Sequence, residues 1–235
     1  MTSITGFVQE SKKAFSNIAL TPVEIDEQVR EIRMPGGSVT IEAFKSPRFE
    51  KIVFCTITIA ESGVVESTAM AWPDDDHNFP LLWCNLTIVP EVMNVPVFDF
   101  MPMMDIIHWP EYATRYVEGI SDLKSDALEA LGETVIQKAV DLPSRTVYAL
   151  SPYKCIPMVT EAGLEIVPRV AAQYIAAYLK LAQAAAPVSD SAERAFYLNR
   201  KKELRTLMKA NDPGYPFMVD VFGPELTHQV FDAVF

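Results

Sequence analysis

Glycine-rich and metal-binding motifs are missing from this sequence. Its nine glycines, in a chain of 235 residues, form neither a phosphate-binding loop, nor a dinucleotide fingerprint, nor a nucleophile elbow. The three histidines, His77, His108 and His228, stand apart and lack the spacing of metal ligands. The chain therefore carries none of the common sequence signatures of nucleotide-dependent, hydrolytic or metal-dependent enzymes.

Cysteine is also scarce, and it is not arranged for cross-linking. Cys55, Cys84 and Cys155 are odd in number, widely separated and without a CxxC pair. This pattern suggests neither a disulfide framework nor a zinc or iron–sulfur site. We expect three buried free thiols.

An excess of positive charge and long apolar runs are absent too. The formal net charge of −11 disfavours binding to nucleic acid. The longest apolar stretches, 52–60 and 170–181, fall short of the roughly 20 residues that a membrane helix needs. The N-terminal MTSITGFVQESKKAF resembles neither a secretory signal nor a transit peptide. We therefore expect a bacterial or phage-encoded cytoplasmic protein, or a plastid stromal protein whose transit peptide has been removed.

The hydrophobic pattern predicts a single domain over residues 1–235 that begins with a helix, about Pro22–Arg33, and a Pro-Gly-Gly turn. Five segments rich in β-branched and aromatic residues follow, and they predict five strands. Their connections, such as Glu61-Ser62-Gly63, are too short for a crossover helix, so neighbouring strands should be antiparallel. The predicted strands are VTIEAF, KIVFCTITIA, VVESTAMAW, PLLWCNLTIV and VPVFDFM.

Helical spacing dominates after Met101, with a short extended piece over Thr146–Leu150. Ser189 or Asp190 is the expected cap of the helix that begins at Ser191. Helices on both faces of one antiparallel sheet give a three-layer α/β/α sandwich, which we expect to be a monomer. The predicted helices cover 112–120, 123–140, Glu165–Ala186, Ser191–Ala210 and Glu225–Phe235.

Polar residues interrupt three of the predicted strands: Glu66, Asn85 and Asp99. Burying such groups costs desolvation, which is a common mark of a functional site. Strand alternation places Glu66 on one face with Thr68, and Asn85 on one face with Thr87, without fixing which face is buried. The pattern alone favours a solvent-facing or structural role and does not establish a site.

Six cations lie on the single helix predicted over Ser191–Ala210 of this acidic chain. Such a cluster can form a docking surface for a negatively charged partner, and it can equally be an ordinary solvated helix face. The six are Arg194, Arg200, Lys201, Lys202, Arg205 and Lys209.

Three segments together, PLLWCNLT, VFDFMP and the C-terminal NDPGYPFMVDVFG, resemble the ferredoxin-dependent bilin reductase superfamily in order and spacing. The similarity runs from about Val39 to the C-terminus. AFKSPRFE, VVESTAMAWP and PLLWCN are most similar to the A-ring reductases, such as phytochromobilin synthase and the phycoerythrobilin-forming enzymes. FDFMPMMDIIHWPEYATRYVEGISDL, YALSP and FGPELTHQVF are at least as similar to red chlorophyll catabolite reductase.

The resemblance implies a linear tetrapyrrole held between the sheet and the C-terminal helices. It also implies single electrons from reduced ferredoxin, radical intermediates of the substrate, and no cofactor bound by the protein itself. The basic helix would then be the ferredoxin docking surface, because ferredoxins are acidic.

The resemblance assigns roles to individual residues. Asp212, in the NDPGY loop, falls at the C-terminal catalytic aspartate and is the expected proton donor. Asn85 stands where many relatives carry a catalytic aspartate; an amide cannot donate a catalytic proton as an acid does, so a second donor is needed. Glu66 is the candidate for that role, with a sheet-edge glutamate as the alternative. Asp105, Asp99 and Ser151 are further candidates for binding substrate, although Asp99 and Asp105 also suit structural roles.

The predicted function is therefore reduction of biliverdin or dihydrobiliverdin, at the A-ring diene, with ferredoxin electrons and with protons from Asp212 and Glu66. Two alternatives remain open. One is reduction of a chlorophyll-derived tetrapyrrole, which Asn85 disfavours. The other is a non-catalytic bilin carrier, which the same Asn85 favours.

Overall fold

The computed structural model describes residues 2–142 and 144–235. Within these ranges the α-helices are α1 (Thr2–Phe15), α2 (Glu27–Arg30), α3 (Pro110–Tyr116), α4 (Ile120–Leu131), α5 (Val167–Ala184), α6 (Ser191–Asn211), α7 (Tyr215–Phe222) and α8 (Pro224–Val234). The strands are β1 (Thr21–Pro22), β2 (Glu31–Met34), β3 (Gly37–Ser46), β4 (Phe49–Ile59), β5 (Val65–Pro73), β6 (Leu81–Val89), β7 (Met93–Met101), β8 (Val135–Gln137) and β9 (Met158–Val159). No helix of the described residues is long and apolar enough to cross a lipid bilayer.

One antiparallel sheet organises the chain. Its strand order is β1-β3-β4-β5-β6-β7, with β2 also paired to β3, while β8 and β9 form a separate pair. The five predicted strands correspond to β3 to β7, and their antiparallel meander is confirmed. Short turns between consecutive strands leave no alternative to antiparallel pairing.

The two faces of the sheet carry different side chains. The β5–β6 register pairs Glu66 with Thr87 and Thr68 with Asn85, and the β6–β7 register puts Asp99 on the same face. We call this the site face. Directly paired residues project to the same side of a sheet, so the register gathers these polar groups on one surface.

Helices α1 and α5 cover the opposite face through aromatic contacts. The Phe15 ring of α1 lies 5.8 Å from the Phe54 ring, and the Tyr174 ring of α5 lies 5.1 Å from the Phe98 ring. All four side chains are buried. Large aromatic side chains contribute much of the apolar area that such a layer removes from water.

Helices α6, α7 and α8 cover the site face. Arg205 of α6 lies with its guanidinium 4.7 Å from the ring centre of Trp72 on β5. Met218 of α7 and Phe231 of α8 are buried beneath the sheet surface. The predicted three-layer sandwich with a central antiparallel sheet is therefore confirmed.

The prediction of a helix over Pro22–Arg33 is wrong. This stretch forms β1, the single-turn helix α2 and β2, and β2 pairs with β3 through a hairpin at Pro35-Gly36. Backbone pairing at the sheet edge outweighs the helix propensity of these charged residues. The N-terminal helix is instead α1, whose Phe7 and Phe15 are fully buried.

Two further predictions after Met101 need correction. Thr146–Leu150 is not extended: it lies largely within the 3-10 helix Arg145–Ala149, which Ser144 caps by accepting from the Thr146 N–H. The amphipathic run 123–140 is helical only to Leu131, because Gly132 adopts a φ of +51° and ends α4. Helix α6 begins as predicted, with the Asp190 carboxylate accepting from the Glu193 N–H at 2.8 Å.

The middle of α6 is tied to the sheet by a buried cation. Lys201 is 3% exposed, and its ammonium donates to the Pro73 carbonyl at 2.8 Å and to Asp75 at 2.9 Å, with Glu50 as a further ion-pair partner. The neighbouring Lys202 is exposed. Lys201 is therefore an internal anchor of α6, which corrects its assignment to an exposed docking surface.

Replacing this anchor should destabilise the protein. We expect Lys201→Ala to lower the free energy of unfolding by about 1–3 kcal/mol, because it leaves the Pro73 carbonyl without this donor and removes one cationic partner from Asp75 and from Glu50, which keeps Arg205. Lys202→Ala is the matched control and should change it by less than about 0.5 kcal/mol. Urea unfolding followed by circular dichroism measures both. Equal effects of the two substitutions would contradict the anchoring role.

Candidate active site

A small cavity of about 30 Å³ lies between the site face and helices α7 and α8. One wall is the sheet, with its polar residues, and the other is the apolar face of α8. The volume accommodates a water-sized group. The cavity is lined by Cys55, Ile57, Glu66, Thr68, Met70, Trp83, Asp212, Gly214, Met218, Val230, Phe231, Val234 and Phe235.

Asn85 holds the Glu66 carboxylate in place. Its amide nitrogen donates to Glu66 Oε1 at 2.7 Å and to Thr68 Oγ1 at 2.9 Å, and its carbonyl oxygen accepts from Thr87 Oγ1 at 3.0 Å. Both N–H groups of the amide are thus used within the protein. Asn85 is buried behind Glu66 and does not line the cavity, so its contacts are those of a residue that orients Glu66.

Asp212 reaches the same cavity from the other side. It follows the last residue of α6, with φ −66° and ψ 122°, so the chain turns away from the helix at this residue. The Gly214 N–H donates to Asp212 Oδ1 at 2.8 Å, an aspartate turn that fixes the carboxylate. The structure therefore brings Asp212, Glu66 and Asn85 together, as the sequence resemblance implies.

Gly214 lies between the two carboxylates. A Cβ built on it would lie 3.0 Å from Asp212 Oδ1 and 3.8 Å from Glu66 Oε2. Any larger residue at this position would place its side chain in the space that separates the two acids. Glycine thus keeps that space open.

Burial raises the pKa of both acids. The pKa of Glu66 rises to about 7, first because burial disfavours its charged form and second because Asp212 carries like charge. Hydrogen bonds from Asn85 and Thr68 oppose this rise. Burial raises the pKa of Asp212 to about 6, against the hydrogen bond from the Gly214 N–H. Two interacting acids of this kind titrate as a pair rather than independently.

Asp99 and Ser151 form a buried pair away from the cavity. The Ser151 N–H donates to Asp99 Oδ2 at 2.8 Å, and its hydroxyl donates to Asp99 Oδ1. Burial raises the pKa of Asp99 to about 6 despite these bonds. Neither residue is among the described residues that line the cavity, so their contacts support a structural role.

Asp105 is an exposed turn residue. Its carboxylate accepts from the N–H groups of Ile107 at 2.8 Å and His108 at 3.2 Å, and these bonds hold its pKa below the ordinary value. Within the described ranges it lies outside the cavity lining, and its contacts are those of a turn residue.

The cysteines and histidines form no alternative site. Cys55, Cys84 and Cys155 are free and buried, as predicted. In the part of the chain that the structure describes, no group of three or more His, Cys, Asp or Glu side chains is arranged to hold a metal ion.

Sequence reasoning missed Thr68, Thr87 and Gly214. Alternation placed each threonine on a face with Glu66 or Asn85, but the register that joins the two strands is set by tertiary structure. The position of Gly214 in Asn-Asp-Pro-Gly looked like ordinary turn chemistry. No local signal marks the space between two acids that are far apart in sequence.

Comparison with known proteins identifies the family. The family model described as ferredoxin-dependent bilin reductase matches residues 8–235, nearly the whole chain. The chain belongs to this family of oxidoreductases. No curated protein sequence gives a significant match.

Solved structures support the fold. The crystal structure of phytochromobilin synthase from tomato, in complex with biliverdin, superposes with a TM-score of 0.79 at 16% sequence identity. The match covers 96% of this chain and 81% of the tomato chain. At this identity the likeness shows a shared fold, in agreement with the family membership.

The raised pKa values predict how stability depends on pH. The folded protein keeps the Glu66 and Asp212 protons to a higher pH than the unfolded chain does, so their contribution to the free energy of unfolding falls as pH rises from about 4 to 7. We expect Glu66→Gln to raise that free energy at pH 8 by about 1–2 kcal/mol, because a neutral amide needs no buried charge. At pH 4 the gain should vanish.

Chemical unfolding at pH 4, 6 and 8 measures this effect. Glu61→Gln, at an exposed loop position, is the matched control and should leave the pH dependence unchanged. A loss of stability in Glu66→Gln at pH 8 would contradict a partly buried Glu66 with a raised pKa.

Proposed function

We propose that this chain reduces biliverdin or dihydrobiliverdin at the A-ring diene, with electrons from reduced ferredoxin and protons from Asp212 and Glu66. The observation that carries the proposal is the pair of partly buried acids on one cavity, both with a raised pKa. An acid with a pKa near the working pH is protonated often enough to donate and readily regains its proton.

The reaction balances with two electrons and two protons. Each reduced ferredoxin supplies one electron, and the diene gains two hydrogens while one of its π bonds is lost. The protons come from the two carboxylic acids, which water reprotonates. The protein needs only to hold the pigment and deliver protons, because the electrons come from outside.

Asn85 supports catalysis in this scheme without donating a proton. Its hydrogen bond stabilises the ionised form of Glu66 and so lowers the pKa at which Glu66 releases its proton. A carboxylic acid at position 85 is then not required for two donors to be present. This observation favours an enzyme over a carrier that has lost catalysis.

Pigment binding requires the cavity to widen. A volume of about 30 Å³ is far smaller than a linear tetrapyrrole. The wall that can move is formed by α7 and α8, which join the rest of the molecule through the loop at Asp212 and Gly214. The opposite wall is the hydrogen-bonded sheet, which stays fixed.

Removal of each acid should stop turnover while leaving binding intact. We expect Asp212→Asn and Glu66→Gln each to lower kcat at least about 100-fold, since proton transfer by a positioned group contributes at least that much. Asn85→Ala should lower kcat less, because Glu66 remains. An anaerobic assay with biliverdin, reduced ferredoxin and a regenerating system measures the rate, and pigment absorption measures binding.

The products decide between the candidate functions. A phycobilin reduced at the A-ring supports the proposal, and a different reduced ring corrects it. Tight binding of biliverdin without turnover, combined with turnover of a chlorophyll-derived linear tetrapyrrole, would favour a catabolite reductase. Binding without turnover of either pigment would favour a carrier, and undiminished turnover in both acid variants would contradict the proton-donor roles.

Ferredoxin docking is proposed on one flank of α6. A groove there is lined by Asp75, Leu198, Lys201, Lys202, Arg205, Thr206 and Lys209. Lys209 also pairs with Asp232 of α8. Lys209 lies three residues before Asp212, so this groove adjoins the cavity wall. A partner bound here would deliver electrons close to the pigment.

Ion pairing limits which of the six cations are available. Arg194 pairs with Asp76 and Arg205 pairs with Glu50, whereas Arg200 and Lys202 form no ion pair with another described residue. Arg200 lies on the opposite flank of α6 from Lys202, because the two are 200° apart around the helix axis at about 100° per residue. Lys202 is therefore the cation best placed for docking in the groove.

Charge reversal tests this surface. We expect Lys202→Glu to raise the KM for ferredoxin several-fold at low salt, with a smaller effect at high salt, because exposed charges are screened. Lys180→Glu is the matched control, because Lys180 is exposed and lies on α5, on the opposite face of the sheet from α6. Equal KM values for the two variants would show that ferredoxin docks elsewhere. A larger effect of Arg200→Glu would show that it docks on the other flank of α6.

A further inference from the structure

We propose that Ser144 is a positioning residue for Asp212: the segment Ser144–Ser151 is a strut that ties the end of α6 to strand β7. The inference rests on the proposed function, since it assumes that Asp212 donates a proton. It assigns a task to Ser144 and to the buried Asp99–Ser151 pair, none of which lines the cavity.

The first end of the strut holds the residue before Asp212. The Ser144 hydroxyl donates to the Asn211 carbonyl at 2.5 Å, one of the carbonyls that a helix end leaves without an internal donor. The Asn211 side chain donates back to the Leu207 carbonyl at 2.8 Å. The final turn of α6 is thus closed by Asn211 itself and fixed in space by Ser144.

Ser144 is in turn held by the 3-10 helix that it caps. Its oxygen accepts from the Thr146 N–H at 3.1 Å and lies 3.0 Å from the Thr146 hydroxyl. A hydroxyl has one hydrogen, and the Asn211 carbonyl can only accept, so that hydrogen is committed to Asn211. Thr146 is buried, which limits the freedom of this turn.

The other end of the strut is fixed to the sheet. Ser151 is fully buried and makes two hydrogen bonds to the Asp99 carboxylate, which is also fully buried. Next to Asp99, Phe98 exchanges two backbone hydrogen bonds with Cys155, at 2.9 Å and 3.0 Å. A bidentate bond to a buried carboxylate and a backbone bridge together hold this end in register with β7.

The strut fixes the positions of both acids relative to the same sheet. Glu66 is fixed on β5 within the sheet, and Asp212 is fixed through Ser144 to a segment anchored on β7 of the same sheet. The middle of α6 is held separately, by Lys201 and Arg205. Without Ser144, the last turn of α6 would lose the hydroxyl that fixes its Asn211 carbonyl, and the Asp212 carboxylate would move more freely relative to Glu66.

The first test is Ser144→Ala in the full-length protein. We expect kcat with biliverdin and reduced ferredoxin to fall about 10- to 100-fold with KM little changed, because small misplacements of a catalytic group are costly. Ser144→Thr keeps the hydroxyl and should restore most of the rate. Ser16→Ala is the matched control, because the Ser16 hydroxyl also donates to a carbonyl near a helix end, Lys13 of α1, at 2.7 Å.

A double-mutant cycle separates positioning from general stability. Ser144→Ala should lower the residual rate of Asp212→Asn no further, because its effect acts through Asp212. Additive losses, a loss in Ser16→Ala as large as in Ser144→Ala, or no rescue by Ser144→Thr would each overturn the proposal.

A measurement without pigment keeps this test separate from the proposed function. In a carbon-13 NMR titration of the aspartate carboxyls, Ser144→Ala should lower the apparent pKa of Asp212 by about half a unit or more, because a looser carboxyl meets more water. This shift is expected even if biliverdin is not the substrate. An unchanged Asp212 titration would overturn the positioning role whatever the enzymatic assay shows.

Discussion

The register between β5 and β6 is the constraint on which the candidate site depends. Thr68 lies opposite Asn85, and this pairing brings the Asn85 amide within hydrogen-bond distance of Glu66 and Thr68 together. A slip of one residue would turn every side chain of one strand to the other face of the sheet. The polar groups would then lie beneath α1 and α5, where aromatic packing leaves them no partner. Pairing on both sides of β5 and β6 prevents such a slip.

Desolvation distinguishes three acids of this acidic protein from its surface charge. Asp99 is fully buried, Glu66 and Asp212 are partly buried, and burial raises the pKa of all three. The three differ in their partners. Asp99 receives two hydrogen bonds from Ser151, while Glu66 and Asp212 line one cavity, where the proposed function has them donate protons.

The sequence was sufficient for features with local causes. Alternating β-branched and aromatic residues predicted β3 to β7, and a cap at Ser189 or Asp190 predicted the start of α6, where Asp190 is the cap. Local rules failed where tertiary pairing decides: β2 extends the sheet edge at the expense of a helix, and α7, with the apolar run YPFMVDVF, gives no amphipathic signal. The burial of Lys201 was equally invisible, since its partners Glu50 and Asp75 lie in distant segments. The role of Asp212 came from family resemblance, because Asn-Asp-Pro-Gly by itself indicates only a turn.

The two acids are supported in different ways, and this difference bears on how the site can open. Glu66 is held by a strand and by side chains of the neighbouring strand, all parts of one hydrogen-bonded sheet. Asp212 lies at the junction of α6 with α7, where the proposed function requires the cavity wall to move and admit the pigment. An acid at a moving junction keeps its position only if the fixed side of the junction is anchored. Ser144 donates to the Asn211 carbonyl on that side, and under the proposed positioning role this bond holds the Asp212 backbone relative to the sheet when α7 and α8 move.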